Sequence, residues 1–284
     1  MLQRRLESTR ALIAEVDLFI SPSRFMRNKF LEFGVPAHKI MHCPHGIPQG
    51  TVSVENCTPP YRIGGCVLLD GSTANPSRRD ALGNPLCQGA LWPGVRRKRA
   101  LRFGFVGTLL PMKGIDVLLA AFKELEYKEI ELLIFGKLLP YAGYEGYMHV
   151  LRKTARKDSR IRLMGDFDHE DVGKVFSGID VLVVPSIWPE NWPLVIAEAF
   201  LYKTPVVASR IGGIPELIED GKNGLLFNAG DAHDLKDKLR HLIEDLHLLS
   251  ALKNTVTKVK TIEEHTIEIE QAYARLIEKS LAVV

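Results

Sequence analysis

The sequence predicts an α/β domain built on a doubly wound, Rossmann-like parallel sheet, and three observations carry that prediction. Short β-branched runs alternate with helical patterns along most of the chain. Several of these runs are apolar at nearly every position, as strands covered on both faces must be. Glycines follow the runs, at the carboxyl ends of the strands, where an open parallel sheet binds its ligands.

The runs come in order as "VDLFIS" (16–21), "KIMHCP" (39–44), "RFGFVG" (102–107), "ELLIFG" (131–136), "RIRLMG" (160–165), "DVLVVPS" (180–186) and "TPVVAS" (204–209). The turn "EDGKNG" (219–224) leads into a last short strand. Between them, "GIDVLLAAFKEL" (114–125), "HEDVGKVFSG" (169–178) and "PLVIAEAFLYK" (193–203) repeat with helical period, and two closing helices are expected beyond 231. Residues 49–100 break the rhythm: the stretch is rich in Gly, Pro, Ser and Asn and is too long for an ordinary connection. It is expected to be an irregular insertion or linker, and its "RRKR" (96–99) a solvated charge run. The expected divisions are a first segment at 1–48, the insertion at 49–100, the sheet domain at 101–248 and C-terminal helices at 249–284.

Bulk composition narrows the function. With 284 residues, 46% of them hydrophobic, the chain can bury a substantial core in one or two domains. A net charge of +3 is too small to argue for nucleic acid. No apolar run reaches the roughly 18 residues of a membrane span, and the first twenty residues lack the apolar centre of a signal peptide. A cytoplasmic protein is expected. Cys43, Cys57, Cys66 and Cys87 form no CxxC pair, so reduced thiols are expected and zinc is not. In "HCPH" (42–45) the histidines belong to a strand-end loop.

Three loops could carry chemistry. In "PSIWPENWPLVIAEAF" (185–200), Pro193 suits the first turn of a helix, and the orphan amides of that turn favour an anion. Glu190 precedes the helix and Glu198 lies within it; eight helical residues rise about 12 Å. That span suits an extended ligand gripped at both ends with a phosphate between, although a surface carboxylate pair is the plainer reading. In "FVGTLLPMKG" (105–114), Gly107 permits close backbone approach and Lys113 can meet a phosphate as a point charge. The loop is neither a Walker A sequence nor GxGxxG, which disfavours a nicotinamide oxidoreductase. In "SRIGGIPELIEDGKNGLLF" (209–227), Gly212 and Gly213 follow a strand and are expected to turn their amides toward the crevice. The "DFD" at 166–168 has the spacing of a metal motif, but N-capping of the next helix is its simpler role.

With these residues in place, the sequence resembles the retaining GT-B glycosyltransferases of family 4, the glycosyl transferases group 1. The likeness rests on "FVGTLLPMKGIDVLLAAF", "LLIFGK", "RIRLMGDF" and the stretch from "IDVLVVPS" to "NGLLF", and covers about 101–245. Residues 17–47 resemble the end of that family's N-terminal, acceptor-binding domain and its crossover. The resemblance implies a sugar transferred from a UDP- or GDP-linked donor to a glycan or lipid-linked acceptor hydroxyl with anomeric retention, as in polysaccharide biosynthesis. Glu198 would hold the donor ribose. Glu190 would face the transferred sugar, and Lys113 would neutralise the leaving diphosphate. Asn191, Trp192, Pro193, Leu194 and Val195, with Gly212 and Gly213, would line the diphosphate and sugar pocket. Arg162, Leu163 and Met164 would flank the base, and Gly107 would let the chain pass close to the phosphates. Thr108 stands where the family usually has an arginine. No metal or other cofactor is implied. Most of the acceptor domain has no counterpart, so the resemblance leaves room for a fragment, for a subunit whose partner chain supplies that domain, or for a mis-started reading. Many relatives work on lipid-linked acceptors, which implies a peripheral place at the inner membrane. A nucleotide-sugar-binding module without turnover and a nucleotide-sugar epimerase of the same architecture are the alternatives.

Overall fold

A computed structural model describes residues 2–48, 100–137, 146–256 and 258–281. Nearly all of the expected insertion, with Cys57, Cys66, Cys87 and the basic run at 96–99, lies outside the described residues. The first segment comprises α1 (Leu2–Glu15), β1 (Phe19–Ser21), α2 (Arg24–Phe33) and β2 (Ile40–His42), with β1 and β2 paired in parallel.

The main sheet has six parallel strands: β3 (Leu101–Val106), β4 (Ile130–Phe135), β5 (Ile161–Gly165), β6 (Val181–Val184), β7 (Val206–Ser209) and β8 (Gly224–Phe227). Their spatial order is β5-β4-β3-β6-β7-β8, so the chain reverses its direction of winding between β3 and β6. Loops leaving neighbouring strands diverge at such a switch point and open a crevice. The helices are α3 (Ile115–Lys123), α4 (Tyr147–Ala155), α5 (Val172–Ser177), α6 (Leu194–Leu201), α7 (Ile214–Leu217), α8 (Ala232–Glu244), α9 (Leu246–Asn254) and α10 (Ile262–Leu281).

The unbroken apolar strands are explained by two cores, one on each face. Leu132 and Ile134 of β4 and Val181 and Val183 of β6 join Phe122, Leu235 and Leu239 in one layer. Leu133, Phe135, Leu182 and Val184 point the other way, into Phe176, Ile196 and Phe200. Alternate side chains of one strand thus serve opposite layers, and neither face can be polar. Arg160 pins the edge of the first layer. Its guanidinium donates to Asp158 Oδ2 at 2.7 Å and to Tyr127 O at 2.8 Å, and lies 5.1 Å from the centroid of the Phe122 ring. Those bonds hold the Asp158 carboxyl below the usual carboxylate range.

The strand and helix rhythm read from the sequence is present, but it does not mark α1 or α4. α4 spans nine residues and sets Leu151 and Ala155, with partly buried Tyr147 and Met148, against the first core, a run too short to stand out in the sequence. Nor does the rhythm say where the last helix goes. The amide of Ile262 donates to Ile47 O at 3.1 Å, and that of Ile47 donates to Lys260 O at 3.0 Å. Gly46 sits where a Cβ would come 2.2 Å from Thr261 O, so only glycine lets the two segments close up at the isolated bridge of Ile47 with Thr261. Next to it, buried Cys43 has its Sγ 3.4 Å from His265 Nδ1 and donates to Glu268 at 3.3 Å. Burial pushes the Cys43 thiol up. His45 lies in the loop after β2, but His42, expected in that loop as well, is the last paired residue of the strand, opposite Ser21.

Candidate functional site

Three loops meet at the carboxyl ends of β3, β6 and β7, which are adjacent in the sheet at and beside the switch point. The first two are zipped together. The amide of Ile187 donates to Met112 O at 3.0 Å. Gly114, at φ +71°, lies so close to the other loop that a Cβ would fall 1.8 Å from Pro185 O. This approach sets Lys113 Nζ 2.7 Å from Glu190 Oε1. The hydroxyl of fully buried Ser186 donates to the same oxygen at 2.8 Å. Glu190 is thus a carboxylate held by a cation and a hydroxyl at the mouth of the crevice.

The third loop seats the main chain beneath it. Gly213 N–H donates to Glu190 O at 2.7 Å. A Cβ on Gly212, at φ +60°, would come 2.3 Å from Glu190 O, and one on Gly213 would come 2.0 Å from Asn191 O. The two glycines are needed for this contact between loops. The sequence predicts both amides facing a ligand; the Gly213 amide is instead engaged by the protein.

Pro193 is the N-cap of α6 rather than its first helical residue, with φ −69° and ψ 105°. The first amides of the helix therefore belong to Leu194 and Val195, which lack intrahelical acceptors by position. Pro193 is buried, Leu194 exposed, and Val195 packs on the second core. The Trp192 indole Nε1 is buried without a hydrogen-bond partner among the described residues. One turn on, the half-buried Glu198 has no hydrogen-bond or ion-pair partner among them either. Burial raises its carboxyl above the usual range, opposed in part by the charge of His169.

At the end of β3, Gly107 takes φ +151°, donates to Phe135 O at 3.1 Å, and has nothing closer than 3.9 Å to the place of a Cβ. A Cβ there would clash with nothing and would only touch the tip of the Phe105 ring, with half-buried Thr108 beside it. Arg162, Leu163 and Met164 lie on β5, an edge strand two places from β3, hence about 10 Å away. Leu163 is buried in the first core and Met164 packs against the second. They are not brought together with Glu190. Asp168 stands at an N-cap position but its side chain makes no capping bond, while Asp166 lies 3.5 Å from Lys137. Among the described residues no group of three or more His, Cys, Asp and Glu side chains could hold a metal ion.

Local sequence pattern carries no sign that the first segment touches this cluster. Ser23 Oγ donates to Asn191 Oδ1 at 2.6 Å. The Glu216 carboxylate accepts the amides of Arg24 and Phe25, each at 2.7 Å, at the start of α2. Its Oε2 lies 3.8 Å from His42 Nε2, and burial lowers the His42 pKa. Ser23 and Glu216 bear on the site through contacts between residues about 170 to 190 positions apart, which local patterning cannot register, whereas Ser186 reaches Glu190 within its own loop.

Comparison with known proteins bears on the family and the fold. The chain is 34% identical over 148 residues to an uncharacterized glycosyltransferase of Methanocaldococcus jannaschii, covering 52% of this chain and 40% of that protein. It is 35% identical over 146 residues to the D-inositol 3-phosphate glycosyltransferase of Corynebacterium efficiens, covering 50% of this chain and 34% of the relative. The chain thus spans well under half the length of these relatives. Among solved structures it resembles Anabaena HepE in complex with UDP, with a TM-score of 0.71 at 20% identity over 91% of this chain and 64% of that one. It also resembles the sucrose-phosphate synthase of Thermosynechococcus elongatus, with a TM-score of 0.70 at 22% identity over 98% of this chain and 62% of that one. The fold is that of the GT-B glycosyltransferases. The family model for glycosyl transferases group 1 matches residues 93–259. That span contains all three loops together with Lys113, Glu190 and Glu198, and the chain belongs to the glycosyl transferases group 1 family.

Proposed function

We propose that the chain binds a nucleotide sugar, UDP- or GDP-linked, in the crevice between the β3, β6 and β7 loops and serves the retaining transfer of its sugar to an acceptor hydroxyl. The observation that carries this reading is the Lys113–Glu190 pair at 2.7 Å, with the unpartnered Glu198 one helical segment away. Glu198 is the acceptor for the ribose hydroxyls. The amides of Leu194 and Val195 and the Lys113 ammonium meet the diphosphate, whose arrival exchanges Lys113 from carboxylate to phosphate. Glu190, freed of that bond, faces the sugar carbon as positive charge develops there. Interactions stronger in the transition state than in the ground state are those that accelerate the step. With Lys113 and the start of α6 neutralising the negative charge of the diphosphate, no metal is needed. Arg162 and Met164 flank the base.

The HepE structure with UDP, and another with UDP-glucose, support a uridine donor by fold likeness. Among the described residues no helix is long and apolar enough to cross a membrane, so a lipid-linked acceptor would be met at a surface. Such an acceptor, or a glycan, and the partner chain that could carry the acceptor domain are part of the same proposal. The test is incubation with labelled UDP- and GDP-sugars. Nucleotide release supports the transferase. Binding without release supports a module lacking turnover, and an isomerised sugar supports an epimerase.

A further inference from the structure

The second residue of the "EN" pair sits beside Glu190 and is held from outside the sheet domain. Ser23 is fully buried, and its hydroxyl does two things at once. It accepts the Met26 amide at 3.1 Å as the N-cap of α2, and it donates its one proton to Asn191 Oδ1 at 2.6 Å. Oxygen is therefore the bonded end of the Asn191 carboxamide, and its Nδ2 has two N–H groups with no partner among the described residues. The place of Ser23 is fixed in turn by Glu216, whose two oxygens each take one amide from the first turn of α2. Glu216 belongs to α7, which begins at the Gly213 that seats Glu190. A closed circuit thus runs from Glu190 through Gly213, α7, Glu216, α2 and Ser23 back to Asn191.

We propose that Ser23 is a positioning residue for the donor loop: acting through Asn191, it fixes the main chain next to Glu190 and holds the Asn191 Nδ2 donors ready for an oxygen of the donor. The proposal rests on the reading of this site as a nucleotide-sugar site. Its geometric half, that Ser23 orders the 190–192 segment, is measurable without any turnover.

The reporter is Trp192, adjacent to Asn191 and with its indole nitrogen buried. In a chain carrying Trp92→Phe and Trp188→Phe it is the sole indole. Ser23→Ala should shift its emission to the red and speed acrylamide quenching; in an Asn191→Ala background, Ser23→Ala should add nothing. Ser23→Asp keeps an acceptor for the Met26 amide but has no proton to donate, and should behave as Ser23→Ala does. It separates loss of the Asn191 bond from loss of the helix cap, and stands in if Ser23→Ala does not fold. With a hydrolysable donor, kcat should fall about 5- to 10-fold, the loss expected for one hydrogen bond, with KM little changed. Trp192 emission that Ser23→Ala and Ser23→Asp leave unmoved, or that Ser23→Ala moves equally with and without Asn191, overturns the proposal. A parent chain that neither binds nor cleaves any nucleotide sugar defeats the transferase reading and the Asn191–donor contact, and the Trp192 result still decides whether Ser23 orders the loop.

Discussion

Lys113 and Glu190 come from loops after different strands, 77 residues apart, yet Nζ and Oε1 lie 2.7 Å from each other. The contact is partly buried, with the Glu190 side chain 15% exposed and that of Lys113 33%. A pair of this kind is costly to break singly, because the remaining charge is left without its partner. Lys113→Met should lower donor turnover by about 10²-fold, the scale of removing one preorganised charge from a leaving group. Glu190→Gln should lower kcat by a similar factor with a smaller effect on donor KM. Steady-state kinetics on both variants check this, and an unchanged kcat in Glu190→Gln would remove that residue from the chemistry.

Glu198 carries a pH signature. Its folded-state pKa is raised by burial, so the group's contribution to stability is full below the unfolded value and is lost as pH rises through the folded one. At neutral pH the unpartnered Glu198 is therefore a burden on the fold. Glu198→Gln should raise Tm by about 2–4 °C at pH 7, and the gain should vanish below about pH 4. Thermal scans across pH test the sign. Nucleotide affinity should move the opposite way: the ribose needs the ionised acceptor, so affinity should fall as pH drops through the raised pKa.

The glycines separate packing from ligand space. Gly114→Ala places a Cβ 1.8 Å from Pro185 O, at φ +71°, and should destabilise the protein by about 2 kcal/mol or more as the two loops part. Gly107→Ala sets its methyl in ordinary contact with the Phe105 ring, 3.9 Å away, with strain only from φ +151°. It should fold with a smaller loss of Tm but bind the donor diphosphate at least several-fold more weakly. Melting curves with and without nucleotide distinguish the two. Equal melting losses in both would deny that Gly107 borders a ligand space.

Much of this was legible in the chain itself. Strands buried on both faces betray themselves by continuous apolar runs, and the glycines and Lys113 sit where a parallel sheet exposes its ligand loops. Pattern failed where a contact depends on the whole fold. The Gly213 amide faces Glu190 O rather than a ligand because two loops distant in sequence lie within hydrogen-bond reach. Ser23 reads as a helix cap and nothing more until α2 is docked on Glu216. The apolar face of α4 covers only nine residues, and the bond of α10 to Ile47 ties the last helix to the first segment across the length of the chain.

Arg160 tests the scaffold apart from the site. Replacing it with Met would remove its bonds to Asp158 and two carbonyls, and should cost about 2–4 kcal/mol. Asp158 has a lowered pKa, so its contribution is present above the ordinary carboxylate range and is lost as pH falls through the depressed value. Urea melts at pH 7 and in acid should show the variant's deficit shrinking as Asp158 protonates.

If protein groups alone neutralise the diphosphate, saturating chelator should leave donor cleavage unchanged. Strict dependence on manganese or magnesium would require a cation where Lys113 and the first amides of α6 are assigned that work.

The most direct test is calorimetric titration of UDP and GDP into the parent chain and into Glu198→Ala. One of the two nucleotides should bind the parent, and the variant should bind it about 10- to 100-fold more weakly, the loss of charge-assisted bonds to a ribose. Equal affinity in parent and variant, or no binding of either nucleotide by the parent, would contradict the site.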